Sequence, residues 1–283
     1  MNSQECHVRM GAEASPWRHG TGIGEIASLW TNRRALWSLA VHDLRKTYAG
    51  TVGGALWTFL TPLIPLLIFS AIFAFALKLP LGGAPYIFGF AAAYVPWLLL
   101  SASIYGATGS LVEHHYLVKR VRFPVEIIPA DAVLVHTVPH AFLLALVGAA
   151  CLAGGYGSPL GLLLVPYFYL CLVAFTVSAG LLLSSVTVVV RDLQQALPSA
   201  MQVWFWLTPI AWAGAQLSPR GQTLLALNPA SYIVSGYRHA LMPKVFAAPT
   251  AYETATFWVI SLGMLLVGST CFRRLRAHFW DCL

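Results

Sequence analysis

The sequence is poor in charged residues. Lysine, arginine, aspartate and glutamate account for 10% of its 283 residues, whereas hydrophobic residues account for 58%. Soluble domains carry about 25% charged residues, so this composition excludes a soluble globule and predicts an all-α integral membrane protein. In such a protein the net charge of +7 marks cytoplasmic loops, and we expect no nucleic-acid partner.

Cysteines and catalytic motifs are scarce as well. The five cysteines are odd in number and widely spaced, which excludes a disulfide framework and a metal-binding spacing. Neither the phosphate-binding G-x-x-x-x-G-K-[ST] loop nor the G-x-S-x-G nucleophile motif occurs. We therefore expect no catalytic residue, metal or cofactor in this chain, and the energy for any transport must come from another subunit.

One histidine pair is a candidate for metal binding. His136 and His140 are four residues apart, with Asp131 upstream, and this spacing would place them on one face of a helix. A metal site needs further ligands, and the other histidine pair, His114 and His115, lies in a loop. We interpret the three residues as hydrogen-bonded polar groups near the cytoplasmic membrane boundary.

Six apolar runs are long enough to cross a membrane, since a helix needs roughly 20 residues to cross about 30 Å of hydrocarbon. The predicted spans occupy residues 56–77, 86–110, 127–153, 160–189, 196–217 and 254–272. The remaining segments are an N-terminal tail at 1–25, a loop at 111–126, a longer segment at 218–253 and a C-terminal tail at 273–283.

The basic residues predict the orientation of these spans. Six spans place both termini and the loops at 111–126 and 190–195 on one side of the membrane. That side holds 13 of the 17 lysines and arginines. The positive-inside rule therefore predicts that both termini are cytoplasmic.

Two further segments are neither spans nor simple loops. Residues 26–48 place Trp30 and Trp37 at helical spacing, with most charges elsewhere on the circumference, which is typical of an amphipathic helix in the membrane interface. A short helix packed on another domain is the alternative. In the segment 218–253, Pro229 can open a helix that is too short to span, and Pro243 can end it; an ordinary ordered loop is the alternative there.

Several motifs occur in an order that resembles a known family. They are DLRKTYAGTVGGALWTFLTPL (43–63), YLVKRVRFPVEIIP (116–129), VVVRDLQQALPSAMQVWFWLTPI (188–210), LNPASYIVSGYRHAL (227–241) and the basic tail FRRLRAHFWDCL. Together they resemble the type-2 permeases of ABC transporters that export O-antigen, capsule or teichoic-acid chains. The resemblance extends from about residue 26 to the end of the chain.

The resemblance implies a homodimer of this chain in the bacterial inner membrane, bound to two copies of a cytoplasmic subunit that holds ATP and Mg. It also implies that the first cytoplasmic loop contains a coupling helix that docks on the ATPase. Here that helix comprises Glu113, His114, His115, Tyr116, Leu117, Val118, Lys119, Arg120, Val121 and Arg122. The basic residues in it are also explained as positive-inside anchors.

The substrate implied by the resemblance is a polysaccharide linked to a polyprenyl diphosphate. Arginine binds phosphate in a bidentate manner, so the predicted entrance for the diphosphate is the cationic set Arg33, Arg34, Arg45 and Lys46, with Arg45 preferred. Contact of these side chains with bulk anionic lipid is the alternative.

Aromatic rings suit sugar faces, and the predicted glycan tunnel is lined by Tyr94, Trp97, Tyr105, Trp204, Phe205, Trp206 and Trp212. Aromatic residues also gather at membrane interfaces because of lipid alone. The segment 218–253 resembles the family's external gate helices, with the signature residues Asn228, Pro229, Tyr237 and Arg238.

The sequence therefore predicts the transmembrane subunit of an ATP-driven exporter of lipid-linked polysaccharide. A drug or lipid exporter on the same scaffold is one alternative. A membrane enzyme that acts on polyprenyl-linked sugars, with His114, His115 or His136 as its base, is another.

Overall fold

The structure is a computed structural model that describes residues 22–47, 53–54, 56–76, 83–119, 123–276 and 279. Every regular element in these ranges is helical, so the all-α prediction is confirmed for the described part of the chain. The predicted tail before residue 22, the predicted docking residues Arg120, Val121 and Arg122, and most of the tail after residue 276 lie outside the described residues.

Four helices are long and apolar enough to cross a membrane, and they correspond to four of the six predicted spans. They are α4 (Tyr86–Glu113), α6 (Ile127–Ala153), α8 (Val165–Val189), which the short helix α7 (Pro159–Leu162) precedes, and α12 (Ala251–Arg276). The chain is therefore a multi-pass membrane protein. Helix α4 is central, because α6, α8 and several other helices of the described part of the chain pack against it.

The first predicted span, 56–77, is helical from Leu56 to Ala76, in two parts. Helix α3 (Leu56–Ala71) has 16 residues and contains Pro62 and Pro65, and a π-helical turn, Ile72–Ala76, adds 5 more. The end of α3 and the π-helical turn are held on α4 by aromatic contacts: the Phe69 ring lies edge-on 5.9 Å from the Tyr94 ring, and the Phe73 ring lies tilted 5.4 Å from the Tyr86 ring. Aromatic pairs of this kind stabilise a structure by about 0.5–1.5 kcal/mol each beyond area burial.

The fifth predicted span, 196–217, is too long at its C-terminal end. Helix α9 begins at Asp192 and ends at Leu207. Thr208 is extended, with φ −100° and ψ 137°, because the proline that follows it disfavours the helical region at the preceding residue. The signal for this end of the helix is present in the sequence, because Pro209 lies within the predicted span.

The segment that includes α9 nevertheless runs along almost the whole of α4. Near its start the side chain of Gln194 lies against Gly109, close to the C-terminal end of α4. Further along, the rings of Trp204 and Trp97 are 5.8 Å apart. Beyond the end of α9, the hydroxyl of Tyr86, the first residue of α4, donates a 2.6 Å hydrogen bond to the carbonyl of Ala211.

The predicted amphipathic helix at 26–48 is two helices, which corrects the single-helix prediction. Helix α1 (Gly22–Thr31) and helix α2 (Arg33–Thr47) meet at Asn32. The Asn32 side chain donates a 2.9 Å hydrogen bond to the Ser28 carbonyl, which also accepts the Asn32 backbone N–H. Helix α2 packs on α6, while Trp30 and Trp37 are 74% and 63% exposed.

The segment 218–253 contains two short helices, α10 (Pro219–Ala226) and α11 (Pro229–Leu241), after a 3₁₀ turn at Gly214–Gln216. The prediction that Pro229 opens a short helix is confirmed by α11. Helix α11 approaches α7 so closely that a Cβ on Gly161 would lie 2.6 Å from the Ala240 carbonyl oxygen. Glycine is therefore required at this contact.

Candidate functional site

The predicted tunnel aromatics divide into a buried set and an exposed set. Tyr94 and Trp97 are buried in the core beneath α9. The Phe205 ring lies 6.2 Å from the Tyr94 ring and 5.6 Å from the Trp97 ring. Packing between α4 and α9 accounts for this set, so these rings do not face an open path in the single chain.

Tyr105 and Trp206 are exposed. Trp212 is partly buried, and its indole nitrogen donates a 3.1 Å hydrogen bond to the Trp206 carbonyl. Trp204 and Phe205 are partly buried as well, so Tyr105 and Trp206 are the exposed members of the predicted tunnel set.

The exposed face of α9 carries polar residues that the prediction did not include. Gln195, Ser199 and Gln202 are exposed and lie four and three residues apart, and Trp206 continues the same face. This spacing places them in one stripe along the helix. On α12, by contrast, the exposed residues Val259, Leu262 and Leu266 are aliphatic and suit contact with lipid. The i, i+4, i+7 spacing of the polar residues was the sequence signal that could have revealed this stripe.

The predicted gate residue Arg238 is buried, and each of its three guanidinium nitrogens donates a hydrogen bond. It is 4% exposed, and its guanidinium donates three hydrogen bonds to backbone carbonyls: 2.9 Å to Gly89 of α4, 2.6 Å to Pro209 and 2.7 Å to Ile210. The last two carbonyls lie where the chain leaves α9, so Arg238 satisfies groups that the broken helix exposes. Burial lowers the pKa of Arg238 to about 10, and the side chain therefore remains charged at neutral pH.

The other predicted gate residues also hold α11 in place. Pro229 is the first residue of the helix, and the Asn228 side-chain oxygen caps it by accepting from the Ala230 N–H at 3.1 Å. The same oxygen accepts a 2.9 Å hydrogen bond from the Trp204 indole. The Tyr237 hydroxyl lies 3.0 Å from His140 Nε2. Helix α11 is thus anchored to α4, α6 and α9, and α10 is the more exposed of the two short helices.

His140 is a hydrogen-bonded core residue. Its Nε2 pairs with Tyr237, and its Nδ1 lies 3.4 Å from the Val95 carbonyl. Within the described ranges, no three histidine, cysteine, aspartate or glutamate side chains are grouped so that they could hold a metal ion.

The predicted docking loop begins where α4 ends at Glu113, and its helical part is the short turn α5 (His115–Val118). Glu113, His115, Tyr116 and Lys119 are exposed. Leu117 and Val118 turn inward and pack against the base of the bundle. His114 is also buried, and its Nε2 lies 3.0 Å from Asp43 Oδ2 of α2. The loop thus has a polar side that faces outward and a second side that packs on the bundle.

The four predicted phosphate-binding cations all lie on α2, and all are exposed: Arg33, Arg34, Arg45 and Lys46. The Arg33 guanidinium lies 5.4 Å from the centre of the Trp30 ring, within the range of a cation–π contact. The arrangement offers cations and tryptophans on the surface of the same helix pair, as an interfacial helix requires.

Comparison with known proteins identifies a family and relatives. The ABC-2 type transporter family matches residues 34–242. The chain is 26% identical over 265 residues to an O-antigen export system permease protein RfbA from Myxococcus xanthus, a match that covers 91% of this chain and 98% of that protein. It is 22% identical over 243 residues to a protein of the same name from Klebsiella pneumoniae, covering 85% of this chain and 92% of that protein.

The family match begins within α2 and ends just after α11. It therefore contains the docking loop, the polar stripe of α9 and the anchored helix α11, and it extends over more than half of the chain. The resemblance to ABC permeases that the motifs predicted is confirmed, and the chain belongs to the ABC-2 type transporter family.

Proposed function

We propose that this chain is the transmembrane subunit of an ATP-driven exporter that moves lipid-linked polysaccharide, such as polyprenyl-diphosphate-linked O-antigen, across the bacterial inner membrane. Membership of the ABC-2 type transporter family supports transport driven by a separate cytoplasmic ATPase. The names of the relatives, which are O-antigen export permeases, support a polysaccharide as the substrate.

The polar stripe of α9 is the observation that carries this proposal. Burying an amide without a hydrogen-bond partner costs roughly 2–7 kcal/mol, so Gln195 and Gln202 would be unfavourable in contact with lipid chains. Since α9 lies along a membrane-spanning helix, its polar face is expected to border water. A second copy of the chain, with its own α9 facing the first, would enclose a polar path whose walls include Trp206.

The same geometry supports a six-span arrangement. Residues 192–211 run beside α4 from Gly109 to Tyr86, and α3 with its π-helical turn packs on the part of α4 that contains Tyr86 and Tyr94. Both segments thus extend along a helix that is itself long enough to span. We assign them as the fifth and first crossings.

Contacts between distant segments support a common side for both termini. Ser28 of α1 donates a 2.8 Å hydrogen bond to Glu126, just before α6. Arg276, at the end of α12, lies 3.3 Å from the same carboxylate. The N-terminal helix pair, the docking loop and the C-terminal end of α12 therefore meet at one end of the bundle, which also carries most of the basic residues. The positive-inside rule assigns this end to the cytoplasm.

Deletion of the gene tests the function. We expect loss of the long surface polysaccharide on gels, together with accumulation of polyprenyl-linked chains in extracts of the inner membrane. Complementation with the intact gene is the control. Normal surface polymer and a normal lipid pool in a strain without a second exporter would refute polysaccharide export and favour a drug or lipid exporter.

Cysteine accessibility tests the path itself. In a background without native cysteines, Gln195→Cys and Gln202→Cys are expected to react with a membrane-impermeant thiol reagent in the assembled transporter. The matched controls Val259→Cys and Leu266→Cys, on the aliphatic face of α12, are expected to stay unmodified. Equal protection of all four positions would contradict a water-filled path along α9.

A further inference from the structure

The loop that is proposed to dock on the ATPase is held at its first end by helix α2. His114, immediately before α5, is 5% exposed, and its Nε2 lies 3.0 Å from Asp43 Oδ2. Nε2 lies this close to the carboxylate without the alignment of a hydrogen bond. The other ring nitrogen, Nδ1, lies 3.0 Å from the Ser110 carbonyl, which fixes the orientation of the ring.

A third helix meets the same contact. Asp131, in the first turns of α6, is 3% exposed and lies beside the Asp43 carboxyl. One of its oxygens has no hydrogen-bond partner. Helices α2 and α6 and the end of α4 thus converge on the carboxyl group of Asp43. Because this group is only partly exposed, its interactions are screened less by salt than those of a surface pair.

The second end of the loop is held by helix α1. Glu126, the residue before α6, accepts the 2.8 Å hydrogen bond from Ser28 through Oε1. Its other carboxylate oxygen lies 3.3 Å from Arg276 Nη1 of α12. The helix pair α1–α2 therefore contacts both ends of the docking loop, through side chains that differ from the tryptophans and cations on its outer surface.

The described residues of the loop between these two anchors are also packed onto the bundle. Val118 at the end of α5 is buried in one apolar cluster with Val125 and Ile128. The exposed side chains His115, Tyr116 and Lys119 are left free to meet another protein. A force applied to that exposed surface would be transmitted through packed side chains to Asp43 on one side and to Ser28 on the other.

We propose that α1–α2 is the transmission element between the docking loop and the cationic surface of α2, and that Asp43 and Glu126 are its positioning residues. This inference rests on the proposed function for the role of the loop. Arg45 follows Asp43 by two residues on the same helix, about 3 Å along its axis. A displacement of the docking loop that moves Asp43 therefore also moves Arg45, at the predicted entrance for the lipid diphosphate.

A double-mutant cycle tests the first anchor in the full complex of permease and ATPase, reconstituted in proteoliposomes. Asp43→Asn and His114→Gln are each expected to lower the amount of polymer exported per ATP hydrolysed by about fivefold, the factor that corresponds to 1 kcal/mol of lost coupling. The double variant is expected to be no worse than either single variant. Ser38→Ala, on the exposed face of α2, is the matched control and should export like the wild type.

The ratio of export to hydrolysis separates positioning from folding, because a merely structural defect reduces the amount of complex and leaves this ratio unchanged. Additive losses in the double variant, or single variants with the wild-type ratio, would overturn the proposal. Co-purification of the ATPase and its hydrolysis rate are measured in parallel. If the wild-type complex hydrolyses ATP but exports no polysaccharide, the proposed substrate fails, and a cycle scored on the hydrolysis rate alone still decides whether the pair acts as one unit.

A cross-link gives a second, independent test. Asp43→Cys and His114→Cys, in a background without other cysteines, are joined by a short bifunctional thiol reagent. If the two elements move together, the cross-linked complex should recover at least half of the wild-type ratio of export to hydrolysis. A cross-link that abolishes export while the ATPase remains bound would show that the elements must separate, and would refute the proposal.

Discussion

Removal of the Arg238 guanidinium should destabilise the outer half of the protein. The change Arg238→Met keeps the aliphatic bulk of the side chain but leaves the carbonyls of Pro209 and Ile210 without their donors. Each buried acceptor left without a partner costs about 1–3 kcal/mol. The carbonyl of Gly89 lies within α4, where a helical N–H also faces it, so its loss should add less. The expected destabilisation is therefore roughly 2–6 kcal/mol, reduced by the desolvation cost that the charged side chain no longer incurs.

The assay is thermal unfolding of the purified, detergent-solubilised protein, followed by tryptophan fluorescence. For a chain of this size 1 kcal/mol shifts the midpoint by about 2–4 °C, so Arg238→Met should lower it by about 4 °C or more. The unfolding midpoint of Arg238→Lys should lie between those of the wild type and of Arg238→Met, because a single ammonium cannot reach three carbonyls in the geometry of a planar guanidinium. Arg220→Met, on the exposed surface of α10, is the matched control. A midpoint for Arg238→Met equal to that of the control would refute the assigned role.

Three further predictions follow from other contacts. Gly161→Ala should lower the same unfolding midpoint, because the new Cβ would lie 2.6 Å from a backbone oxygen of α11 and overpacking costs about 1–3 kcal/mol. The control Gly263→Ala, where nothing lies within 4 Å of the new Cβ, should not lower it. Tyr237→Phe should destabilise the protein by about 1–3 kcal/mol because His140 loses its 3.0 Å partner, and a midpoint unchanged within error would contradict this. Arg45→Ala should reduce binding to vesicles that contain a polyprenyl diphosphate more than to vesicles of other anionic lipids; an equal reduction would favour contact with bulk lipid.

Hydropathy predicted the parts of the fold that lipid dictates, because long apolar runs have few alternatives in a bilayer. Two boundaries were missed for local reasons. Asn32 lies at the boundary between α1 and α2 and donates a side-chain hydrogen bond to Ser28, and Pro209 ends α9 by disfavouring the helical region at Thr208. Both signals are present in the sequence.

The partners of buried polar residues could not be read from the sequence. Arg238 bonds to the carbonyl of Gly89, 149 residues away, and nothing local distinguishes it from an exposed outer cation. The same holds for Tyr94 and Trp97, since an aromatic residue on a long apolar helix has no pattern that separates a core face from a path-lining face. The sequence indicates a polar loop after the second span, but the attachment of this loop to Asp43 depends on tertiary contacts alone.

Two basic side chains of the segment 218–253 are bonded to backbone carbonyls, and this bears on how a polymer would be released. Arg238 is buried against carbonyls, and Lys244 donates a 2.9 Å hydrogen bond to the Gly155 carbonyl. The described lysines and arginines of the segment 218–253 are Arg220, Arg238 and Lys244, and of these Arg220 is the one that projects from α10. On the proposed orientation, an acidic polysaccharide that emerges here meets little positive charge, whereas it leaves a cytoplasmic side rich in arginine. The charge distribution of the protein thus favours binding at the side where the polymer is loaded and weak retention at the side where it is released.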